Sequence, residues 1–172
     1  MTIINLIKNK LEFDEQKNFT AIIGSNPSSG ARSPILWNYA FEKNNIDCKM
    51  YCFDVDENNI LKFIKKLQEN KFFLGGAIAV PFKEQIFNIL DINITFEAKN
   101  IGSINCLFRD NNGRLFGTNT DGEAAVLSLK EKIKKIDNKK ILLIGPGGAG
   151  KAVSAYLLKS LKNKNNLFIT GR

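Results

Sequence analysis

The feature that most constrains this chain is Lys140-Ile141-Leu142-Leu143-Ile144 running straight into Gly145-Pro146-Gly147-Gly148-Ala149-Gly150 and an alanine-containing helix. An unbroken apolar run of this kind reads as a strand of the buried parallel type. Gly145-x-Gly147-x-x-Gly150 behind it fits a dinucleotide-binding turn. The first glycine permits the tight turn, the second lets the backbone approach a pyrophosphate, and the third lets the helix pack closely on the sheet. The helix expected from about Gly148 to Leu161 would offer free N–H groups and its positive dipole end to phosphates. Without that strand–loop–helix context the pattern would be only a glycine turn.

The rest of the chain alternates strand and helix, which predicts an α/β fold with a mostly parallel sheet. Phe19 to Ile23 is the first strand. Ser28 to Arg32 reads as a loop, after which Ser33 takes an N-cap position with Pro34 at N1. Cys48 to Phe53 is the second strand, with Asp54 or Asp56 capping a helix to about Gln68. Its apolar face is Ile60, Leu61, Phe63, Ile64 and Leu67. Gly75 to Val80 is a third strand, ended by Pro81 and followed by a helix from about Lys83 to Leu90. Ile101 to Arg109 and Arg114 to Thr118 flank Asn111-Asn112-Gly113 as a hairpin. A long helix from Asp121 to about Ile136 then bridges to the glycine-loop unit, which ends with the strand Leu167 to Thr170.

Several function classes fall to composition. The 172 residues contain no histidine, which removes Ser-His-Asp and Cys-His catalysis and any histidine-ligated metal site. A general acid or base must then be Lys, Asp, Glu, Tyr or Cys. No metal site is expected. The net charge of +8 comes from lysines spread along the chain rather than from a basic stripe. That argues against nucleic acid and for anionic small ligands. Cys48, Cys52 and Cys106 are expected as buried, reduced thiols. Residues 1–18 lack an apolar signal core and nothing approaches a membrane span, so a cytoplasmic protein without a membrane partner is expected.

Lys83 and Asp121 each fall where a predicted strand hands over to a helix, and ligand crevices in open α/β sheets lie at such strand ends. An ammonium there can stabilise a developing oxyanion and give it a proton, while a carboxylate holds and orients the ammonium. The residues alone do not single out this lysine; a helix-start lysine is by default solvated.

Val80-Pro81-Phe82-Lys83-Glu84, Asn119-Thr120-Asp121-Gly122 and Gly145 to Gly150, in that order, resemble the shikimate dehydrogenase family from about Ile22 onward. The resemblance implies NADP-dependent, reversible reduction of 3-dehydroshikimate to shikimate, a step of aromatic amino acid biosynthesis. It implies Lys83 and Asp121 as the catalytic pair. Substrate contacts would come from Ser33, Asn105, Thr120 and Asp121, and cofactor contacts from Gly145, Gly147, Gly148, Ala149, Gly150 and Arg172. Gly102-Ser103-Ile104-Asn105-Cys106 is similar to the family's Gly-Ala-Val-Asn-Thr segment, whose asparagine meets substrate hydroxyls. A buried asparagine bonded to backbone is the alternative for Asn105. Arg172, after Thr170-Gly171, suits the 2′-phosphate of NADP better than the ribose of NAD; a surface arginine is the alternative.

The match has gaps. The family's Ser-Lys-Ser-Pro-x-x-His-Asn segment places its first serine on Ala31 and its histidine on Trp37, leaving Ser33. A substrate-contacting threonine falls on Ala79. Arg32, Ser28, Ser29 or Trp37 would have to compensate, and a preference for quinate or a related cyclic polyol acid follows as the main alternative. A non-catalytic ligand-binding domain is the alternative of another class. Residues 1–121 are expected as the substrate-binding domain, and 122–172 as a bridging helix and the first βαβ unit of an incomplete Rossmann-type domain. The chain is thus expected to be the N-terminal part of an enzyme, incomplete for turnover alone, acting on a small cyclic hydroxy acid and compatible with a homodimer.

Overall fold

The computed structural model describes residues 2–90 and 93–171. Seven strands and six α-helices run in the order β1 (Phe19–Gly24), α1 (Ser33–Lys43), β2 (Lys49–Asp54), α2 (Ile60–Glu69), β3 (Phe73–Ile78), α3 (Lys83–Leu90), α4 (Phe96–Ile101), β4 (Cys106–Arg109), β5 (Leu115–Thr118), α5 (Asp121–Ile133), β6 (Ile141–Ile144), α6 (Gly148–Ser160) and β7 (Leu167–Thr170). They build a five-stranded sheet in the order β2-β1-β3-β4-β5 and a two-stranded sheet of β6 and β7. β1 pairs parallel with β2 and β3, β4 and β5 return antiparallel, and β6 and β7 are parallel. The expected α/β fold with a mostly parallel sheet is the observed one.

This topology brings three chain segments to one sheet edge. Ala77 on β3 pairs with Cys106 on β4, and Cys106 with Thr118 on β5. The residues leaving β3, entering β4 and leaving β5 therefore meet, although they are far apart in sequence. The Ile78 amide donates to the Asn105 carbonyl at 2.8 Å and the Asn105 amide to Thr118 at 3.1 Å, extending the ladder to that edge.

The core lies under one face of the larger sheet. Ile60, Phe63, Ile64 and Leu67 of α2 are buried there with Phe19, Phe53, Phe73, Phe82 and Ile86. Spacings of three and four residues place the α2 set on one stripe; Leu61, expected on it, points to solvent. α1 buries none of its residues and exposes Ile35, Leu36, Trp37 and Tyr39.

Several sequence expectations change. The first hairpin strand begins at Cys106 rather than Ile101, and residues 96–101, of which the sequence pattern assigns only Ile101 to an element, form α4. Thr95 caps the helix by accepting the Ala98 amide at 3.4 Å, and Gly102 ends it in the left-handed region at φ 74°. The shortened hairpin keeps its turn at Asn111-Asn112-Gly113. α5 stops at Ile133, because Lys134 turns to φ 55° and Ile136 folds into the smaller core. Neither Asp54 nor Asp56 caps α2, whose N-cap is Asn59. Strand β6 is not buried on both faces. α5 and α6 cover Ile141 and Leu143, while Leu142 and Ile144 remain exposed. The three cysteines are free thiols, each partly rather than fully buried. No helix among the described residues is long and apolar enough to cross a membrane.

Candidate active site

Lys83 opens α3 just beyond β3, and Asp121 opens α5 just beyond β5. Their side chains meet with Nζ 2.5 Å from Oδ2. Charge-assisted contacts are shorter than neutral ones, and this one lies at the short end. The lysine side chain is 20% exposed and the aspartate 31%, so the pair is sheltered yet open to a ligand.

The other Asp121 oxygen is taken by Asn105. Its Nδ2 donates to Asp121 Oδ1 at 2.6 Å and to Thr120 Oγ1 at 3.0 Å, while its Oδ1 accepts the Thr120 amide at 2.8 Å. Asn105 stands one residue before β4, is only partly buried, and bonds the Asp121 and Thr120 side chains as well as the Thr120 backbone amide, so the expected buried, purely backbone-bonded asparagine is only part of the picture. With both carboxylate oxygens engaged, Asp121 is fixed and fixes Lys83 in turn.

The glycine loop faces the lysine of this pair. A cavity of about 470 Å³ has Lys83 and Glu84 on one wall and Gly145, Gly147, Gly148, Ala149 and Gly150 on the other. Gly145 turns at φ 99°, a conformation that favours glycine. A Cβ on Gly150 would collide with the Gly145 carbonyl, whereas one on Gly147 would meet nothing within 4 Å. The loop therefore closes tightly at its ends and leaves its middle open, the shape a pyrophosphate needs. Lys151 of α6 pairs with Glu84 across the cleft at 2.9 Å. Arg172 lies outside the described residues.

Ser33 does not take the N-cap position. Arg32 does, and Ser33 is the first helical residue of α1, its hydroxyl making no capping bond. Among the described residues no hydrogen bond joins Ser33 to the Lys83–Asp121 network. Ser28 and Ser29, considered as replacements for lost hydroxyls, are already engaged. The Ser28 hydroxyl donates to Asp54 Oδ2 at 2.5 Å and its amide to Oδ1 at 2.9 Å, while Ser29 Oγ donates to the Asn26 carbonyl at 2.9 Å. Arg32 forms no salt bridge among the described residues and keeps its guanidinium available for a carboxylate. A second cavity, of about 410 Å³, opens between Trp37 and Phe41 of α1 and the end of the sheet, where Asn105 and Thr120 line it.

Four residues to which the sequence assigned no part in the site stand close around it or its neighbouring loop. Asp54, 5% exposed, pins the loop ahead of α1 through Ser28. Asn119 and Ser103, both buried, stand behind Asp121. Cys106, beside Asn105, has its thiol pushed up by burial and by the Asp121 charge, so it stays protonated near neutrality. No group of three or more metal-ligating side chains occurs among the described residues.

The model of the shikimate dehydrogenase substrate binding domain matches residues 22–107. The chain belongs to that family. A shikimate dehydrogenase (NADP(+)) of Carboxydothermus hydrogenoformans is 36% identical over 148 residues, covering 86% of this chain and 51% of that protein. One from Methanococcus maripaludis is 37% identical over 159 residues, covering 92% and 54%. Among solved structures, a shikimate dehydrogenase in complex with NADP+ superposes with a TM-score of 0.81 at 29% identity, covering 94% of this chain and 53% of that one. The enzyme from Aquifex aeolicus superposes with a TM-score of 0.78 at 27% identity, covering 92% and 64%. The chain spans about half the length of the curated relatives it matches. The family match covers Lys83 and Asn105, while Asp121 and the glycine loop fall beyond it.

Proposed function

We infer that this chain supplies the substrate-binding domain, residues 1–121, and the opening bridging helix and βαβ unit, residues 122–172, of an NADP-dependent shikimate dehydrogenase. The observation that carries this reading is the Lys83–Asp121–Asn105 network, whose Lys83 lines a cleft opposite the glycine loop. NADPH bound at that loop would supply a hydride to the ketone carbon of 3-dehydroshikimate. The Lys83 ammonium donates a proton to the ketone oxygen as negative charge grows there, and recovers one from solvent afterwards. Asp121 holds the lysine in place and would accept from a substrate hydroxyl, while Asn105, Thr120 and Ser33 would bond the other hydroxyls or the carboxylate. In oxidation the neutral lysine accepts the proton.

Gly145, Gly147, Gly148, Ala149 and Gly150 would cradle the pyrophosphate. Their turn geometry and open middle support that role. Arg172 would meet the 2′-phosphate, on the sequence argument alone. Small polar substrates of this kind suit a cytoplasmic enzyme with no nucleic-acid or membrane partner.

Ala31, Ala79 and Trp37 favour a second reading, in which quinate or a related polyol acid is preferred. A hydrogen bond to a charged group is worth about 1.5–3 kcal/mol, so an uncompensated loss weakens substrate binding about tenfold or more. Arg32 is the compensating group that remains uncommitted. The test is NADP-linked oxidation of shikimate and of quinate by the intact protein. The main reading predicts a higher kcat/KM on shikimate. A higher value on quinate establishes the second reading, and turnover of neither overturns both in favour of a ligand-binding role.

A further inference from the structure

Ser103 stands where the three parts of the site meet. It is fully buried on the short link between α4 and β4. Its hydroxyl accepts from Asn119 Nδ2 at 3.0 Å and donates to the Gly148 carbonyl at 3.3 Å. Asn119, 2% exposed, gives its other Nδ2 hydrogen to the Ser103 carbonyl at 3.1 Å and accepts the Asp121 amide on Oδ1 at 3.1 Å. The neighbouring Ile104 amide donates to the Lys83 carbonyl at 2.9 Å. One buried hydroxyl therefore joins the glycine loop to the backbone of Asp121, beside the backbone of Lys83.

A serine hydroxyl has a single hydrogen, and here it goes to a carbonyl on another element rather than to its own segment. Gly148 is the first residue of α6, where free N–H groups attract phosphate. A phosphate bound there would pull on the turn that carries the Gly148 carbonyl. Ser103 follows, because releasing the carbonyl would leave a buried hydroxyl without an acceptor.

We propose that Ser103 is a positioning residue that couples occupancy of the glycine loop to the placement of Asp121, and through it Lys83, by way of Gly148 and Asn119. The proposal rests on the dinucleotide reading of the loop given above. It concerns a residue that touches neither substrate nor cofactor.

The test uses Ser103→Ala in the intact protein. The change removes one oxygen and leaves Asn119 bonded to the residue-103 carbonyl, so the fold is kept. Amide resonances are followed by NMR while inorganic pyrophosphate is titrated in. In the parent protein the Gly148 and Asp121 amides shift together; in S103A the Gly148 shift persists and the Asp121 shift is lost. For NADP-linked shikimate oxidation, kcat of S103A falls about three- to tenfold, the size of one net hydrogen bond, with KM for shikimate unchanged. An Asp121 response that survives in S103A overturns the proposal, as does a parent protein whose Asp121 amide ignores pyrophosphate. A coupled NMR response without NADP-linked oxidation sinks the proposed function and leaves the coupling standing.

Discussion

The five-stranded sheet and the two-stranded sheet bury their apolar residues very differently. The larger one has a continuous core that includes Phe19, Phe53, Phe63, Phe73 and Phe82, all with no exposed surface. Edge-to-face ring contacts tie Phe53 to Phe63 at 5.6 Å and Phe13 to Phe19 at 4.8 Å. The smaller unit centres on Val126, Ile136 and Leu157, with half-buried neighbours such as Leu129 and Tyr156. Leu142, Ile144 and Phe168 are exposed on the outer face of its sheet, and Ile169 is exposed on the other face beside Leu143. The difference matters because the site straddles the two. Lys83 and Asn105 stand on the deep core, while the glycine loop stands on the shallow one. Few ties hold them in register: Ser103 to Gly148, Lys151 to Glu84, and the close crossing of α5 and α6, where a Cβ on Gly122 would collide with the Ala152 carbonyl. On the proposed function, chemistry would be anchored on the deeper core, and cofactor binding would fall to the side with the smaller core.

The largest expected effect separates chemistry from stability. Lys83→Ala lowers kcat for NADP-linked oxidation of shikimate by about 10²- to 10⁴-fold, the usual contribution of a positioned proton donor. Tm changes little, because a part-exposed ion pair contributes little to folding. Initial-rate kinetics beside a thermal melt check both halves. A kcat within a few-fold of the parent removes Lys83 from the mechanism.

Next in size is the deep core. Phe53→Ala costs about 3–5 kcal/mol in urea unfolding, as buried aromatic truncations do. The loss reaches both sheets, since the smaller unit packs against elements that the larger one supports. Leu157→Ala in the shallow core costs about 2–3 kcal/mol, toward the low end for leucine, because its half-buried surroundings can close in. Hydrogen exchange should then rise in β6, α6 and β7 while β1 to β3 stay protected. Equal acceleration in both sheets would erase the contrast between the two cores.

The smallest effect concerns the thiols, all on the first side. Burial holds Cys48, Cys52 and Cys106 above the ordinary thiol range, with Asp47, Asp54 and Asp121 respectively adding to the rise. The folded thiols keep their protons to higher pH than the unfolded ones. Stability from this source is complete below the unfolded thiol value, about pH 8.5, and falls as the pH rises through the folded values. Alkylation at about pH 8.5 should be slower in the folded chain than in urea. Matching rates would show that burial is not restraining them.

Much of this was legible in the sequence because its signals are local. The strand–helix alternation, Pro34 and Pro81 at element ends, and the glycine spacing of the loop each depend on neighbouring residues. α4 escaped because Ile101 to Arg109 reads as one extended run, although Thr95 and Gly102 carry ordinary start and stop signals. Ser33 misled for the opposite reason: Ser-Pro is a strong local cap signal, yet the helix begins one residue earlier than that signal places it, with Arg32 as the N-cap. Asp54 looks locally like a helix cap, but its partner is Ser28 on a distant loop. Ser103 and Asn119 were invisible as a pair, because their bonds join segments that only the β3–β4–β5 pairing brings together.

The most direct test of the account is a crystal structure of the intact protein with shikimate and NADP+ bound. The account predicts Lys83 Nζ about 3 Å from the hydroxyl oxygen that is oxidised, Asp121 still against the lysine, and the pyrophosphate on Gly147 and Gly148. Shikimate bound with every hydroxyl oxygen out of reach of Lys83 Nζ would contradict it.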